Sequence, residues 1–319
     1  MKVILLGPQR RPTVDAVVRS LRLDGPVATI TAGWQEREAD DGELSRRLDG
    51  RDTDLELYRR WLDVQDRDPV YAAGERALQG VLAELQDIYL LRLDYALQSV
   101  HALARRADGR LRAEALAEAL AAVRELDRAH LRQVNSVRGE FFDRLPPHDR
   151  PIIAEHRAAV ARLISEAAAV VMAGGHVNVL ADVLHLFNVA AALNAAAAAP
   201  ATSPAAGRPV IAWSAGAMAL TNRIVLFHDR APQGPGHPEV YGAGLSVLRD
   251  VVLLPYARTR LLLDDASRMA VFARRFEPAR CVLLDNGTRI DTDTDDAGAW
   301  PPGTRVLAED GQVTALEAA

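Results

Sequence analysis

One stretch of the sequence decides how the rest of the chain is interpreted: Pro209-Val-Ile-Ala-Trp-Ser-Ala-Gly-Ala-Met218. Its apolar residues up to Trp213 are typical of a buried strand. Ser214 is then followed by three small residues, which predicts a sharp turn into a helix that other backbone can approach closely. The full motif for such a turn is Gly-x-Ser-x-Gly, and Ala212 stands where its first glycine would be. The stretch therefore predicts a strand, a turn that presents the Ser214 hydroxyl, and a helix.

Strands and helices alternate on both sides of this stretch. Apolar runs at 2–6, 27–31 and 168–172 indicate buried strands, and 54–58 is a further candidate. Strands that alternate with helices form parallel sheets with helices on their faces. We therefore expect an α/β fold, a flavodoxin-like three-layer sandwich with a mostly parallel sheet.

A different pattern occupies residues 69–166. Apolar residues at helical spacing predict two long helices, around 78–97 and 116–134, and a third at 150–166. We interpret this segment as a helical insertion, which divides an α/β domain into residues 1–68 and 167–319. Such an insertion commonly serves packing or a homodimer contact, and a cap over the active site is the alternative.

Composition excludes several classes of function. The net charge of −5 gives no electrostatic case for nucleic acid or an anionic membrane. Lys2 is the only lysine, which excludes Schiff-base chemistry and lysine-containing phosphate loops. Cys281 is the only cysteine, so no disulfide can form within the chain. No run approaches the twenty apolar residues of a membrane span, and the first residues make no signal peptide, so we expect a cytoplasmic protein.

Metals and cofactors are not expected either. The eight histidines show no zinc-ligand spacing, and no Gly-x-Gly-x-x-Gly follows the first strand. Gly174-Gly175-His176 instead follows the strand at 168–172, and a double glycine there lets backbone N–H groups point at a ligand. His176 is a candidate donor to a substrate oxygen, and Glu36 is a candidate partner for a substrate amine.

The glycine turn and the Ser214 turn together resemble the peptidase E and cyanophycinase family. These are serine hydrolases whose fold is related to the class I glutamine amidotransferases, and the resemblance covers about residues 168–290 and the opening strands. It implies hydrolysis of a peptide or other amide bond without a cofactor. It also implies Ser214 as nucleophile, Gly175 and Ala215 N–H groups as the oxyanion site, and Asp229, fifteen positions on, as the acid.

The sequence departs from this family at the expected base. The family has histidine after a late strand, in a setting such as Leu-Pro-His, and this chain has Leu254-Pro255-Tyr256. Tyrosine titrates near 10 and is a poor base at neutral pH. Three explanations stay open: His228 or His237 acts as base, Tyr256 acts as an acid or hydrogen-bond donor, or the pocket has lost hydrolysis and binds a ligand or a partner. Glutamine amidotransferases themselves use a cysteine at this turn, so Ser214 argues against that activity.

Overall fold

A computed structural model of the chain describes residues 1–9, 13–198, 208–230, 236–294 and 300–317. Its strands are β1 (Lys2–Leu6), β2 (Val27–Ile30), β3 (Asp52–Asp54), β4 (Ala169–Met172), β5 (Val210–Trp213), β6 (Ile224–Leu226), β7 (Glu239–Gly242), β8 (Val251–Pro255), β9 (Arg280–Leu284), β10 (Arg289–Asp293), β11 (Arg305–Leu307) and β12 (Val313–Ala315). Its α-helices are α1 (Val14–Ser20), α2 (Gly42–Arg47), α3 (Leu57–Arg67), α4 (Pro69–Ala104), α5 (Arg110–Arg144), α6 (Pro151–Glu166), α7 (Val177–Leu186), α8 (Val189–Ala197), α9 (Ala215–Ala219), α10 (Ala257–Arg260) and α11 (Ala266–Phe276). Short 3-10 helices cover Ala32–Arg37 and Pro147–Asp149.

The central sheet is mostly parallel. Its strand order is β10-β1-β5-β4-β2-β3, and every pairing except the antiparallel β10–β1 edge is parallel. The four inner strands, β1, β5, β4 and β2, are buried on both faces, as their unbroken apolar runs predicted. One face packs on α1 and α2, and the other faces the core that α6 to α9 share. The α/β class with a parallel sheet between helices is therefore confirmed.

A second sheet, which the sequence pattern did not reveal as separate, has the order β12-β11-β9-β8. Side chains of β8 and β9 alternate between two cores, in keeping with the two-residue period of a strand. Leu253 and Val282 face the core beneath the central sheet, whereas Leu254 and Cys281 face a second core. The strands β6 and β7 form a separate antiparallel ribbon.

Helices α4 and α5 form a long antiparallel hairpin, as the apolar spacing predicted. The second half of α4 and the first half of α5 contribute apolar side chains to the second core, together with β8 and β9. A buried ion pair joins the hairpin to α11: Arg275 donates to both carboxylate oxygens of Asp127, at 2.7 Å each. The Tyr89 hydroxyl donates to Asp127 at 2.8 Å. The limits of the insertion at 69–166 stay a prediction.

One local prediction was wrong. The strand expected at 54–58 is only Asp52–Asp54, and a helix begins at Leu57. This strand lies at the edge of the sheet, where its side chains are only partly buried and can be polar, so apolar periodicity did not indicate it. In α11 the capping residue is Asp265, whose carboxylate accepts from the Arg268 N–H.

No single helix within the described ranges is both long and apolar enough to cross a bilayer. The pair α7 and α8 passes a test of length and composition only when taken together, across a bend of 68°.

Candidate functional site

Ser214 lies in the turn between β5 and α9. Its backbone has φ 52° and ψ −125°, a conformation that residues with a side chain rarely adopt. The hydroxyl does not cap α9, and within the described residues it has no hydrogen-bond partner. The turn thus leaves the Ser214 side chain free to meet a ligand.

Two glycines bring neighbouring backbone against this turn. A Cβ on Gly174 would lie 2.7 Å from the Ser214 Cβ and 3.1 Å from its Oγ, so no larger residue fits there. Gly175 has φ 132°, and a Cβ on it would lie 2.3 Å from the Gly33 carbonyl oxygen. That carbonyl accepts from the His176 N–H at 2.7 Å. The double glycine is therefore required by close approach on both sides, from Ser214 and from the loop after β2.

These turns meet at one edge of the central sheet. The loops that carry Gly7, Gly33, Gly174 and Ser214 follow β1, β2, β4 and β5, which are parallel, so all leave the sheet at its carboxyl edge. From β2 the chain continues to β3 on one side of the sheet, and from β4 it continues to β5 on the other side. The direction in which successive strands are added therefore reverses between the neighbouring strands β2 and β4. Open α/β sheets bind their ligands at such a reversal.

Ser214 borders two cavities. The first, of about 410 Å³, is lined by side chains of mixed character from the loops after β1, β2, β5 and β8 and from α2. Trp34 and Trp213 supply apolar walls, and Arg37 and Arg47 supply positive charge. Tyr256 also lines this cavity. The first cavity therefore combines a serine hydroxyl with aromatic rings, guanidinium groups and the carboxylate of Glu43.

The second cavity, of about 460 Å³, shares Ser214 and Gly175 with the first. Two histidines line it, the exposed His228 and the half-buried His237. Leu90 of α4 also lines it, so the helical hairpin forms part of its wall. The structure thus brings both candidate histidine bases to the cavity that Ser214 borders.

His237 has a carboxylate partner from the hairpin. Its Nε2 lies 3.3 Å from an Asp94 oxygen of α4, and its ring stacks on His101 with centroids 5.8 Å apart. Burial, together with the nearby Arg268 cation, lowers the pKa of His237 below its ordinary value of 6.5. A histidine of this kind is neutral near pH 7 and can accept a proton.

Asp229 is buried but does not line either cavity. One carboxylate oxygen accepts from Arg268 at 2.6 Å, and the other accepts from the Leu262 N–H at 3.1 Å. Arg268 also donates to the carbonyl of Gly236, the residue before His237. Asp229 therefore holds, through Arg268, the segment that carries His237; its role as a triad acid stays a prediction.

Tyr256 and the remaining predicted residues occupy different places. Tyr256 follows β8 with φ 60°, and the Arg260 guanidinium lies 5.4 Å from the centre of its ring. Ala215 lines the second cavity. His176 is exposed before α7. Glu36 is also exposed; a hydrogen bond from its own backbone N–H, and a second from the Tyr58 hydroxyl at 2.9 Å, lower the pKa of its carboxyl group. Neither His176 nor Glu36 lines a cavity beside Ser214.

Several side chains at the site carried no sequence signal. Asp94 lies within a long helical pattern, and a carboxylate there is typical of a solvated helix face. The guanidinium groups of the first cavity belong to a loop and a helix in an arginine-rich chain. The described residues contain no group of three or more side chains arranged to hold a metal ion.

Comparison with protein-family models gives no match, and comparison with the curated proteins gives none. The functional assignment therefore depends on the residues around Ser214.

Proposed function

We propose that the chain is a serine hydrolase of the peptidase E type, acting on a peptide or other amide bond, on a flavodoxin-like fold. The observation that carries the proposal is Ser214, held at positive φ where two cavities meet. In serine hydrolases of α/β folds the nucleophile occupies a turn of this kind, the nucleophile elbow. The substrate would lie across Ser214 with one part in each cavity.

The backbone beside Ser214 would stabilise the charge that forms during attack. When the Ser214 Oγ adds to the amide carbonyl, the carbonyl oxygen becomes an oxyanion. The N–H groups of Gly175 and Ala215 are the donors proposed for it, because both residues line the cavity with Ser214. Gly175 can serve here because its φ of 132° suits a residue without a side chain.

His237 is the base that the geometry favours. It lines the cavity with Ser214, and Asp94 engages its Nε2, which leaves Nδ1 to accept the serine proton. The same nitrogen would then give that proton to the leaving amine, and water would hydrolyse the acyl-enzyme. His228 has no such carboxylate partner among the described residues.

A second function, ligand binding without hydrolysis, is favoured by two observations. The two carboxylate oxygens of Asp229 accept hydrogen bonds from Arg268 and from the Leu262 N–H. Tyr256 stands at the position where the peptidase E family has histidine. Restoring the family's base separates the two functions. If Tyr256→His creates amidase activity that the native chain lacks, the native site is a binding pocket.

A fluorophosphonate probe tests the nucleophile directly. We expect the folded chain to be labelled at Ser214, and Ser214→Ala to abolish labelling. Ser246→Ala is the matched control, because Ser246 is an exposed serine that also has positive φ. This variant should label as the native chain does. A folded native chain that resists the probe, or equal labelling of Ser214→Ala, would reject the nucleophile.

The base is tested by the pH profile of the same labelling. With His237 as base, the rate should rise with pH through a midpoint below 6.5, since only the neutral ring accepts a proton. His237→Gln should reduce the rate by about 100-fold or more and remove the midpoint. His228→Gln is the matched control and should preserve both. The peptide substrate and a homodimer through the insertion stay predictions.

A further inference from the structure

A third cavity, of about 440 Å³, is not bordered by Ser214. It is enclosed by α3, α4 and α7, with Tyr241 of β7 at one side, and it shares no lining residue with the two cavities beside Ser214. Three aromatic rings line it, from Tyr58, Trp61 and Tyr241. Two of these rings, Tyr58 and Trp61, lie 5.4 Å apart at 34° and form a continuous apolar wall.

The carboxylate of Glu75 is fixed within this cavity. Its Oε2 accepts from the Trp61 Nε1 at 2.8 Å and from the Gln65 Nε2 at 2.6 Å. Both donors are neutral, and no cation among the described residues forms an ion pair with Glu75. Burial raises the pKa of this carboxyl group. Arg138 acts on Glu75 only through its charge, which lowers the Glu75 pKa, because its guanidinium is paired with Asp182. A partly buried anion held by neutral donors is stabilised when a cation approaches it.

The other charges around the cavity do not fill this role. Asp182 is already neutralised, because one oxygen accepts from Arg138 at 2.7 Å and the other from Gln79 at 3.0 Å. Arg76 follows Glu75 on α4 but is exposed, and adjacent helical residues do not face each other. Among the described residues, Glu75 is therefore the one carboxylate lining this cavity that forms no ion pair.

We propose that this cavity binds a small organic cation with a primary ammonium group, which donates to Glu75 while its alkyl part lies against the aromatic rings. The rings of Tyr58 and Trp61 offer the alkyl part an apolar surface. An ammonium fits better than a guanidinium, because two donors already occupy Oε2 and a bidentate fork would have to displace them. The site is independent of the proposed hydrolase activity.

Titration of the native chain with n-butylammonium chloride, followed by saturation-transfer NMR, tests the proposal. We expect saturable binding of butylammonium and none of 1-butanol, which has the same shape without the charge. Sodium chloride at equal ionic strength should not compete. Absence of saturable butylammonium binding, or equal binding of butanol, overturns the proposal without any need for a variant.

Substitution locates the site. Glu75→Gln keeps the shape and removes the charge, and it should raise the Kd of butylammonium at least tenfold. Glu84→Gln is the matched control, because Glu84 is an exposed carboxylate on the same helix. Its Kd should equal that of the native chain. Binding that survives Glu75→Gln unchanged, in a variant whose circular dichroism is native, also overturns the proposal. Ser214→Ala should leave binding intact, so this test and the hydrolase test fail separately.

Discussion

Replacing Asp127 by asparagine should destabilise the chain strongly. Asp127 and Arg275 are buried, with side chains 4% and 1% exposed. The carboxylate accepts from Arg275 Nε and Nη2 and from the Tyr89 hydroxyl. Asparagine removes the charge and turns an NH₂ group towards donors, which leaves Arg275 buried without its counter-charge. Breaking one partner of a buried pair costs about 3–5 kcal/mol.

The expected change in melting temperature follows from the size of the chain. Unfolding entropy is about 2.1 cal/mol/K per residue, which for 319 residues is about 0.7 kcal/mol/K. A loss of about 3–5 kcal/mol therefore lowers Tm by about 4–8 °C. Differential scanning calorimetry or a thermal melt followed by circular dichroism measures this shift.

The matched control for Asp127→Asn lies on the same helix. Glu125 makes ion pairs with Arg128 and Arg132 at 2.9 and 2.7 Å, but all three side chains are exposed. Because solvent screens such pairs, Glu125→Gln should leave Tm within experimental error. A Tm for Asp127→Asn within 1 °C of the native value would refute the argument that the Arg275 charge needs this partner.

Three further predictions concern small substitutions. Gly80→Ala should raise the free energy of unfolding, measured in urea, by about 0.5–1 kcal/mol, because a Cβ there meets open space. Gly74→Ala on the same helix should lower that free energy, because its Cβ would lie 2.6 Å from the Leu145 side chain. Gly174→Ala should abolish fluorophosphonate labelling while circular dichroism stays native, because the new Cβ would displace the Ser214 side chain. Burial raises the pKa of Asp54 to about 7, so between about pH 4 and 7 the folded state keeps a proton that the unfolded state loses, and stability falls as pH rises. Asp54→Asn should make the urea midpoint depend less on pH over this range. An unchanged pH dependence in the variant would contradict the prediction.

Local features of the fold could be predicted because they depend on residues close in sequence. The strand and turn at Ser214 follow from an apolar run that ends in small residues, and the hairpin follows from apolar residues at helical spacing. The edge strand Asp52–Asp54 could not be predicted in this way. It is held by backbone pairing to β2, and its side chains carry no apolar alternation.

The candidate site was less predictable because its side chains come from distant parts of the chain. Gly174 and Ser214 could be paired in advance, because each stands in a turn after a strand. The contact between His237 and Asp94 could not, since it depends on how the hairpin lies against the second sheet. The pairing of Asp229 with Arg268 has the same origin: spacing along the chain does not state which cation will occupy a carboxylate.

The buried thiol of Cys281 can report how often the second core opens to solvent. As the only thiol, it lies in β9 against the core that the hairpin covers, and burial raises its pKa to about 12. A disulfide reagent can therefore react only while that part of the molecule is transiently open. The ratio of this rate to the rate of a free thiol measures the opening equilibrium of the second sheet. Labelling of Ser214 reports on the edge of the central sheet, whereas the reaction of Cys281 reports on the opening of the second sheet.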